Sequence, residues 1–341
     1  MLLRFVWIAT FSAWQIAATH CALADGVADF YRGKTITISV GSAAGGGYDA
    51  YSRVIARHMP RYIPGEPQMI VKNAPGAGGL VLANSLYNVA PKDGTEISTY
   101  NRTLLLDPLL GNAKAQFEPQ KYTWLGSAAN EVSTCVAWHA AGVRTVAELK
   151  QKELITGATG TTTTDGVVYP RLMNALLGTR FKIVMGYPGA ADAVLAMERG
   201  ETQAFCGWGY SSMEAMRPGW VKEGKVHVLI QFGMQPSPVF PGVPLITELA
   251  RSPRERQIME LIVAPQVFAR PYMAPPGVPQ ERAAALRRAF EATITDPAFI
   301  AEAGERRLEI ELVKGDVVLA LLTRVYGAPK EVIDEVRSML K

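Results

Sequence analysis

The segment that decides the fold begins Thr35-Ile36-Thr37-Ile38-Ser39-Val40, an apolar run typical of a strand, and continues Gly41-Ser42-Ala43-Ala44-Gly45-Gly46-Gly47-Tyr48-Asp49, a glycine-rich loop. A helix comes next, and then a second strand and a second glycine loop, Met69-Ile70-Val71-Lys72-Asn73 and Ala74-Pro75-Gly76-Ala77-Gly78-Gly79. Loops of this kind lie at the carboxyl edge of a parallel sheet, where α/β folds bind ligands. Backbone N–H groups at the helix N-terminus after each loop attract anions. The two loops therefore predict a cradle for a carboxylate or a phosphate.

The unit of short strand, small-residue loop and helix recurs in two clusters along the chain. The first cluster ends with a third strand, Glu96–Tyr100. A second α/β unit begins with Tyr122–Ala137 and ends with the apolar run Val226–Phe232, which we expect to return the chain to the first unit. Two domains facing each other across a cleft would explain this recurrence. We therefore predict an α/β fold with domain 1 formed by residues 25–121 and 233–341, and domain 2 by residues 122–232.

The N-terminal residues have the features of a secretory signal peptide. Arg4 supplies a positive charge, residues 5–18 are nearly all apolar, and Ala22-Leu23-Ala24 is typical of a signal peptidase site. We predict that residues 1–24 are removed and that the mature chain begins near Asp25 in the periplasm. We expect no later stretch to be long and apolar enough to cross a bilayer.

Composition and spacing exclude several partners. The chain is 48% hydrophobic and 19% charged, as in globular proteins, and its basic residues are scattered, so we expect no nucleic acid. His58, His139 and His227 lack metal-ligand spacing, and we expect neither a metal nor a cofactor. Cys135 and Cys206 remain after signal cleavage. In an oxidising compartment they form either one disulfide or two buried thiols, and the sequence does not decide between these.

Functions other than anion binding explain the glycine loops less well. Gly45–Ala50 matches the dinucleotide pattern G-x-G-x-x-A, but Asp49 would place a negative charge beside the pyrophosphate. The glycines could also serve only to form tight turns. A hydrolase or transferase could use the first loop as an oxyanion site, yet we find no base beside a candidate nucleophile such as Ser42 or Ser211. Three aspartates near the loops are explained as helix caps: Asp49, Asp165 and Asp192.

Four motifs give the chain a resemblance to a known family. They are Ala43–Asp49, Asn73–Gly79, Pro91-Lys92-Asp93-Gly94 and Pro188–Ala193, and they occur in the family's order over the whole mature chain. With them the chain resembles the Bug-type solute receptors of tripartite tricarboxylate transporters. The resemblance implies a type II-like periplasmic-binding-protein fold, in which two doubly wound domains close on a small carboxylate.

The resemblance also implies the site. Backbone N–H groups of Ser42–Gly47 and Ala77–Gly79 would bind one carboxylate, and the loops Thr159–Thr164 and Tyr187–Asp192 would hold the other end of the ligand. The chain departs from the family where Gly41-Ser42 replaces Pro-Phe and Ala74 replaces a basic residue, so the family's usual ligands do not transfer directly. The ligand-binding residues that we predict are Ser42, Ala43, Ala44, Gly45, Gly46, Gly47, Tyr48, Ala77, Gly78, Gly79, Asn101, Arg102, Thr161, Thr162, Thr163, Tyr187, Gly189, Ala190, Asp192 and Trp208.

Aromatic residues at proposed strand ends suggest the nature of the ligand. Tyr187, Trp208 and Tyr210 could line the cleft opposite the glycine loops. A single ring at such a position more often packs beneath its own loop, but we expect at least one of the set to face the ligand. An aromatic acid or a medium-length dicarboxylate would suit such a wall better than citrate, whose extra carboxylate would lack a cationic partner unless Arg102 reaches it.

We therefore predict a periplasmic receptor, monomeric and without catalytic activity, that captures a small carboxylate by cleft closure and delivers it to a membrane transporter. A secreted α/β hydrolase or transferase is the alternative. A sensory protein that passes occupancy to a signalling partner would share the fold, and the sequence does not separate it from a transport receptor.

Overall fold

The computed structural model describes residues 26–160 and 163–340. Within them the chain forms two mixed β-sheets, each packed against helices. The predicted signal peptide, residues 1–24, lies outside the described residues, as do Thr161 and Thr162 of the predicted site.

The strands of the described residues are β1 (Thr35–Val40), β2 (Gln68–Asn73), β3 (Glu96–Thr99), β4 (Thr123–Ser127), β5 (Ser133–Trp138), β6 (Leu154–Thr159), β7 (Phe181–Tyr187), β8 (Ala204–Gly209), β9 (Val226–Phe232), β10 (Pro271–Ala274) and β11 (Val313–Lys314). Residues 26–31 are helical, and the α-helices that follow them are α1 (Gly47–His58), α2 (Leu80–Asn88), α3 (Val146–Gln151), α4 (Asp165–Leu177), α5 (Ala190–Glu198), α6 (Tyr210–Met216), α7 (Pro253–Val263), α8 (Gln280–Ile294), α9 (Pro297–Glu305), α10 (Gly315–Tyr326) and α11 (Lys330–Met339).

The first sheet has the strand order β11-β4-β10-β3-β1-β2. Strands β2, β1 and β3 are parallel, and β10 runs antiparallel to both β3 and β4. Ile36, Ile38 and Val40 of the inner strand β1 are fully buried. The parallel arrangement predicted from the first sequence segment is confirmed, and it brings both glycine loops to one edge of the sheet.

The second sheet has the order β7-β6-β8-β5-β9. Strands β7, β6 and β8 are parallel, and β5 is antiparallel to β8 and β9. The parallel strands end at Thr159, Tyr187 and Gly209, so the loops that follow them share one edge. This sheet repeats the arrangement of the first.

The chain crosses between the sheets later than the sequence suggested. Strand β4 pairs with β10 and β11 in the first sheet, whereas β5 begins the second. The prediction that Tyr122–Ala137 opens the second α/β unit is wrong for β4. A single extended strand carries no signal for which sheet it joins, because its hydrogen-bond partners are distant in sequence.

The last part of the chain packs against both sheets. Ile258 and Ile262 of α7 and Val332 of α11 belong to the same buried cluster as Leu172 and Phe232 of the second sheet's layer. The assignment of all residues 233–341 to domain 1 does not describe these two helices. The boundaries of the two domains stay a prediction.

Cys135 and Cys206 form a disulfide between the adjacent antiparallel strands β5 and β8, with 4.0 Å between their Cα atoms. Both cysteines are buried. Of the two alternatives left open by the sequence, the structure contains the bond.

Reducing this disulfide should lower stability. The cysteines are 71 positions apart, and the chain-entropy model gives roughly 4 kcal/mol at most for a loop of that size. We expect the melting temperature of the purified mature protein to fall after reduction. Two titratable thiols in denatured, unreduced protein isolated from periplasm would contradict the bond.

Among the described residues, none of the helices combines the length and the apolar character needed to span a membrane.

Candidate functional site

A small cavity lies between the carboxyl edges of the two sheets, with a volume of about 60 Å³. Both glycine loops of the first sheet and the strand ends of the second contribute to its walls. The lining residues are Gly41, Ser42, Gly46, Gly47, Tyr48, Gly78, Asn101, Arg102, Thr159, Asp165, Pro188, Ala190, Phe205, Gly207, Trp208, Gly209, Ser212 and Arg270.

The first glycine loop is held by Asp49, from the first turn of α1. Its carboxylate accepts hydrogen bonds from Gly45 N (3.0 Å), Arg53 Nε (3.0 Å) and Asn73 Nδ2 (3.0 Å). Burial alone would raise the pKa of Asp49, but these bonds outweigh burial and hold the pKa below its ordinary value. Asp49 therefore fixes the loop, which differs from the predicted role as a helix cap.

Some of the backbone donors assigned to the anion cradle are already engaged. Ala43 N donates to Pro188 O (3.3 Å), Gly45 N to Asp49, and Gly79 N to Gly76 O (2.8 Å). In this structure these three N–H groups already have protein acceptors, and their role in binding the carboxylate stays a prediction. The first turn of an α-helix leaves its N–H groups without partners inside the helix. Gly46 and Gly47, which begin α1 and line the cavity, are the better donors.

The two sheets make direct contact around the cavity. The Ala43 N to Pro188 O hydrogen bond joins the first glycine loop to the loop after β7. Gly78 lies against Gly160 and Thr164 of the second sheet, and a Cβ built on Gly78 would be 3.1 Å from Gly160 Cα and would overlap the Thr164 methyl group. Closure therefore requires that residue 78 have no side chain.

Arg102 joins the two sheets through a buried ion pair. It follows β3 of the first sheet, is 1% exposed, and donates from Nη2 to Asp165 Oδ2 at 3.0 Å. Asn101 Nδ2 donates to the other oxygen of the same carboxylate at 2.8 Å, and Tyr48 OH lies 3.3 Å from Arg102 Nη1. Asp165, predicted as a helix cap, thus binds two residues across the cleft. The charge of Arg102 is neutralised before any ligand arrives.

A second buried arginine, Arg270, completes the cavity wall. It forms an ion pair with Glu131, and Nη2 donates to Ser212 Oγ of α6 at 2.7 Å. Its guanidinium also lies 5.1 Å from the ring centroids of both Tyr48 and Tyr51. Arg270 thereby contacts the segment between β4 and β5 through Glu131, α6 through Ser212, and α1 through its two tyrosines.

Arg270 was not predicted as a site residue, because no glycine motif marks it. β10 runs antiparallel inside an otherwise largely parallel sheet, so its start, not its end, lies at the ligand edge. The residue just before such a strand reaches the cavity only through long-range pairing. The lining residues absent from the predicted site are Gly41, Thr159, Asp165, Pro188, Phe205, Gly207, Gly209, Ser212 and Arg270.

The structure brings part of the predicted site together at this cavity. The predicted residues that line it are Ser42, Gly46, Gly47, Tyr48, Gly78, Asn101, Arg102, Ala190 and Trp208. Those outside its lining are Ala43, Ala44, Gly45, Ala77, Gly79, Thr163, Tyr187, Gly189 and Asp192. Their roles in binding stay predictions.

Of the aromatic residues predicted to line the cleft, only some line this cavity. Trp208 is 1% exposed, lines the cavity and packs on Phe205 and Trp220 with centroid distances of 5.6 and 6.2 Å. Tyr210 packs against Phe240 (5.4 Å) and lies outside the lining, as does Tyr187. The expected wall of three aromatic rings is therefore reduced to Trp208.

Asp107 is a buried carboxyl outside the cavity lining, and its ionisation makes the stability of the protein depend on pH. Asn112 Nδ2 donates to its Oδ2 at 2.8 Å, and its Oδ1 has no partner within the protein. Burial raises the pKa of Asp107 from 3.8 to about 6. The folded protein therefore holds this proton more tightly than the unfolded chain, and the resulting stability is lost as the pH rises through about 6.

Replacing Asp107 with asparagine should remove that pH dependence. Above pH 6 we expect Asp107→Asn to be more stable than wild type by up to about 3 kcal/mol, and near pH 4 the two should be similar. Denaturant unfolding of both proteins at the two pH values measures the difference. An equal difference at both would show that Asp107 ionises normally.

Comparison with known proteins agrees with this geometry. Residues 52–316 match the model of the family described as "Tripartite tricarboxylate transporter family receptor". The "UPF0065 protein in gbd 5'region" of Cupriavidus necator is 27% identical over 250 residues, which cover 69% of this chain and 72% of that protein.

Solved structures share the fold. The periplasmic binding protein BugD superposes with a TM-score of 0.71 at 17% identity, covering 91% of this chain and 98% of its own. MatC of Rhodopseudomonas palustris with bound malate gives 0.68 at 19% identity, with 90% and 99% covered. An R. palustris protein with adipate gives 0.69 at 16% identity, with 89% and 97% covered. With the family match spanning most of its length, the chain belongs to the tripartite tricarboxylate transporter receptor family.

Proposed function

We propose that the chain is a periplasmic receptor that captures a small carboxylate between its two sheets and delivers it to a membrane transporter. The observation that carries the proposal is a small cavity at which the N-terminus of α1, the second glycine loop and the loops of the second sheet meet. A ligand that contacts both walls favours the closed state through differential binding.

The solved relatives support this choice of ligand. MatC binds malate, and the other R. palustris protein contains adipate. Both molecules are small carboxylates, which fits a helix N-terminus flanked by glycines. We extend this chemistry to the present chain, together with a monomeric state and a transporter subunit, or a sensory protein, as the partner.

The residues of the cavity are less suited to catalysis than to binding. A hydrolase needs a base beside its nucleophile. Ser212 Oγ is bonded to Arg270 Nη2, a cationic donor that cannot take its proton, and the Asp165 carboxylate is occupied by Arg102 and Asn101. These contacts support binding without turnover.

A combined binding and turnover screen tests the proposal. The mature protein is incubated with di-, tri- and aromatic carboxylates and with the corresponding esters, while melting temperature and product formation are followed. We expect a saturable rise in melting temperature with at least one free acid, and no product. Product formation would support the hydrolase, and an unchanged melting temperature with every acid would contradict the receptor.

A further inference from the structure

Several residues that line the cavity carry a buried polar atom that has no partner within the protein. Among the described residues there are four such side chains, with the atoms Ser42 Oγ, Arg102 Nε, Trp208 Nε1 and Arg270 Nε. All four can donate a hydrogen bond, and three can only donate. Buried donors without acceptors are costly, and native proteins rarely keep them. A ligand rich in acceptor oxygens would give these donors partners.

The charges around the cavity further restrict which ligands it can bind. Arg102 and Arg270 are each neutralised by a buried carboxylate, Asp165 and Glu131 respectively. The free donors are thus N–H and O–H groups at fixed positions, and no unpaired cation is available for an additional carboxylate among the lining residues that the structure describes. The affinity of a ligand should therefore depend on the positions of its oxygens more than on its total charge.

Trp208 is the donor on the wall opposite the glycine loops. It belongs to β8 of the second sheet, whereas Gly46, Gly47 and Gly78 come from the first. Its ring is packed among buried apolar side chains, and Thr134 Oγ1 donates to its carbonyl oxygen at 2.9 Å. The direction of Nε1–H is therefore fixed before binding. A ligand whose first carboxylate lies on the glycine loops directs its other end toward this wall.

We propose that Trp208 determines the specificity of the cavity by donating its indole N–H to an oxygen at the ligand's far end. The proposal rests on the receptor function proposed above, and it names the ligand feature that is selected: a compact acid with oxygen acceptors at both ends. An acid that ends in a methyl group leaves the indole N–H buried and unpaired.

Matched acids provide the test. Three pairs of acids are compared: succinate with butyrate, glutarate with valerate, and adipate with hexanoate. The two members of a pair have the same chain length and differ only in whether the far end is a carboxylate or a methyl group. Affinities are measured by calorimetry for wild type and for protein with benzothienylalanine at position 208, in which sulfur replaces the indole N–H and the ring shape is kept. We expect wild type to prefer the diacid of at least one pair roughly 10- to 100-fold, the scale of a hydrogen bond to a charged group. The replacement should remove most of that preference without changing the affinity for the monoacid.

Trp124 supplies the matched control. It is also 1% exposed, but its indole N–H already donates to Pro119 O at 2.9 Å in the first sheet's layer. Benzothienylalanine at position 124 should lower the melting temperature and leave the preference between acids intact. A preference that survives the replacement at position 208 would overturn the proposal while leaving the receptor function in place.

A spectroscopic readout keeps the test independent of the variants. With ¹⁵N-tryptophan labelling, the Trp208 indole resonance should shift on addition of the preferred diacid and remain unchanged with its monoacid. An unshifted resonance in the saturated complex would also overturn the proposal. If no acid of the three pairs or of the wider carboxylate screen binds, the receptor function itself fails and this inference fails with it.

Discussion

Gly78→Ala is expected to abolish ligand binding while the protein remains folded. In the closed structure a Cβ at this position would overlap the Thr164 methyl group and lie 3.1 Å from Gly160 Cα, which is backbone and cannot rotate away. The two sheets could then not approach each other around the cavity. We expect the affinity for the best acid of the screen to fall at least ~100-fold, because contacts from one whole wall are lost. Calorimetry measures the loss.

A matched glycine separates closure from backbone strain. Gly178 has the same φ of +69° as Gly78, but a Cβ there would have no heavy atom within 4 Å. Gly178→Ala should therefore lose about the same stability as Gly78→Ala and bind the acid normally. Equal binding by the two variants would mean that the Gly78–Gly160 contact does not control closure.

Arg270→Met is expected to be the most destabilising single change. It leaves the Glu131 carboxylate, whose side chain is 1% exposed, without its cation. Removing one partner of a buried ion pair costs about 3–5 kcal/mol, since the remaining charge stays buried. Chemical denaturation should show this loss, and Glu131→Gln added to Arg270→Met should restore part of it.

An exposed pair shows whether burial is the cause. Arg254 Nε lies 2.8 Å from Glu335 Oε2, with side chains 36% and 40% exposed. Arg254→Met removes the same side chain and should cost no more than about 1 kcal/mol. Similar losses for the two arginine variants would show that the buried pair around Arg270 has no special weight.

The local units of the fold could be predicted from the sequence. A strand, a glycine loop and an amphipathic helix are each encoded by neighbouring residues, so β1, the loop before α1 and the loop after β2 were located correctly. The presence of both loops at one edge then follows from parallel pairing, and the recurrence of the same unit later in the chain indicated the second domain.

The features of the fold and site that could not be predicted depend on pairing between segments that are distant in the sequence. The sheet that β4 joins, the entry of β10 between β3 and β4, and the ion pairs of Arg102 and Arg270 all join segments far apart in the chain. A polar residue such as Glu131, between two strands, looks like any exposed loop residue until its partner is known. The role of Asp165 was misjudged for the same reason.

We propose that a carboxylate lies between the glycine loops of the first sheet and the second sheet's wall. A crystal structure of the mature protein with the tightest acid of the screen would show where the ligand binds. We expect one carboxylate about 3 Å from the N–H groups of Gly46 or Gly47 at the start of α1, and an oxygen of the far end at a similar distance from Trp208 Nε1. Ligand density only outside this cavity, with the cavity occupied by water, would show that the carboxylate does not bind between the two sheets.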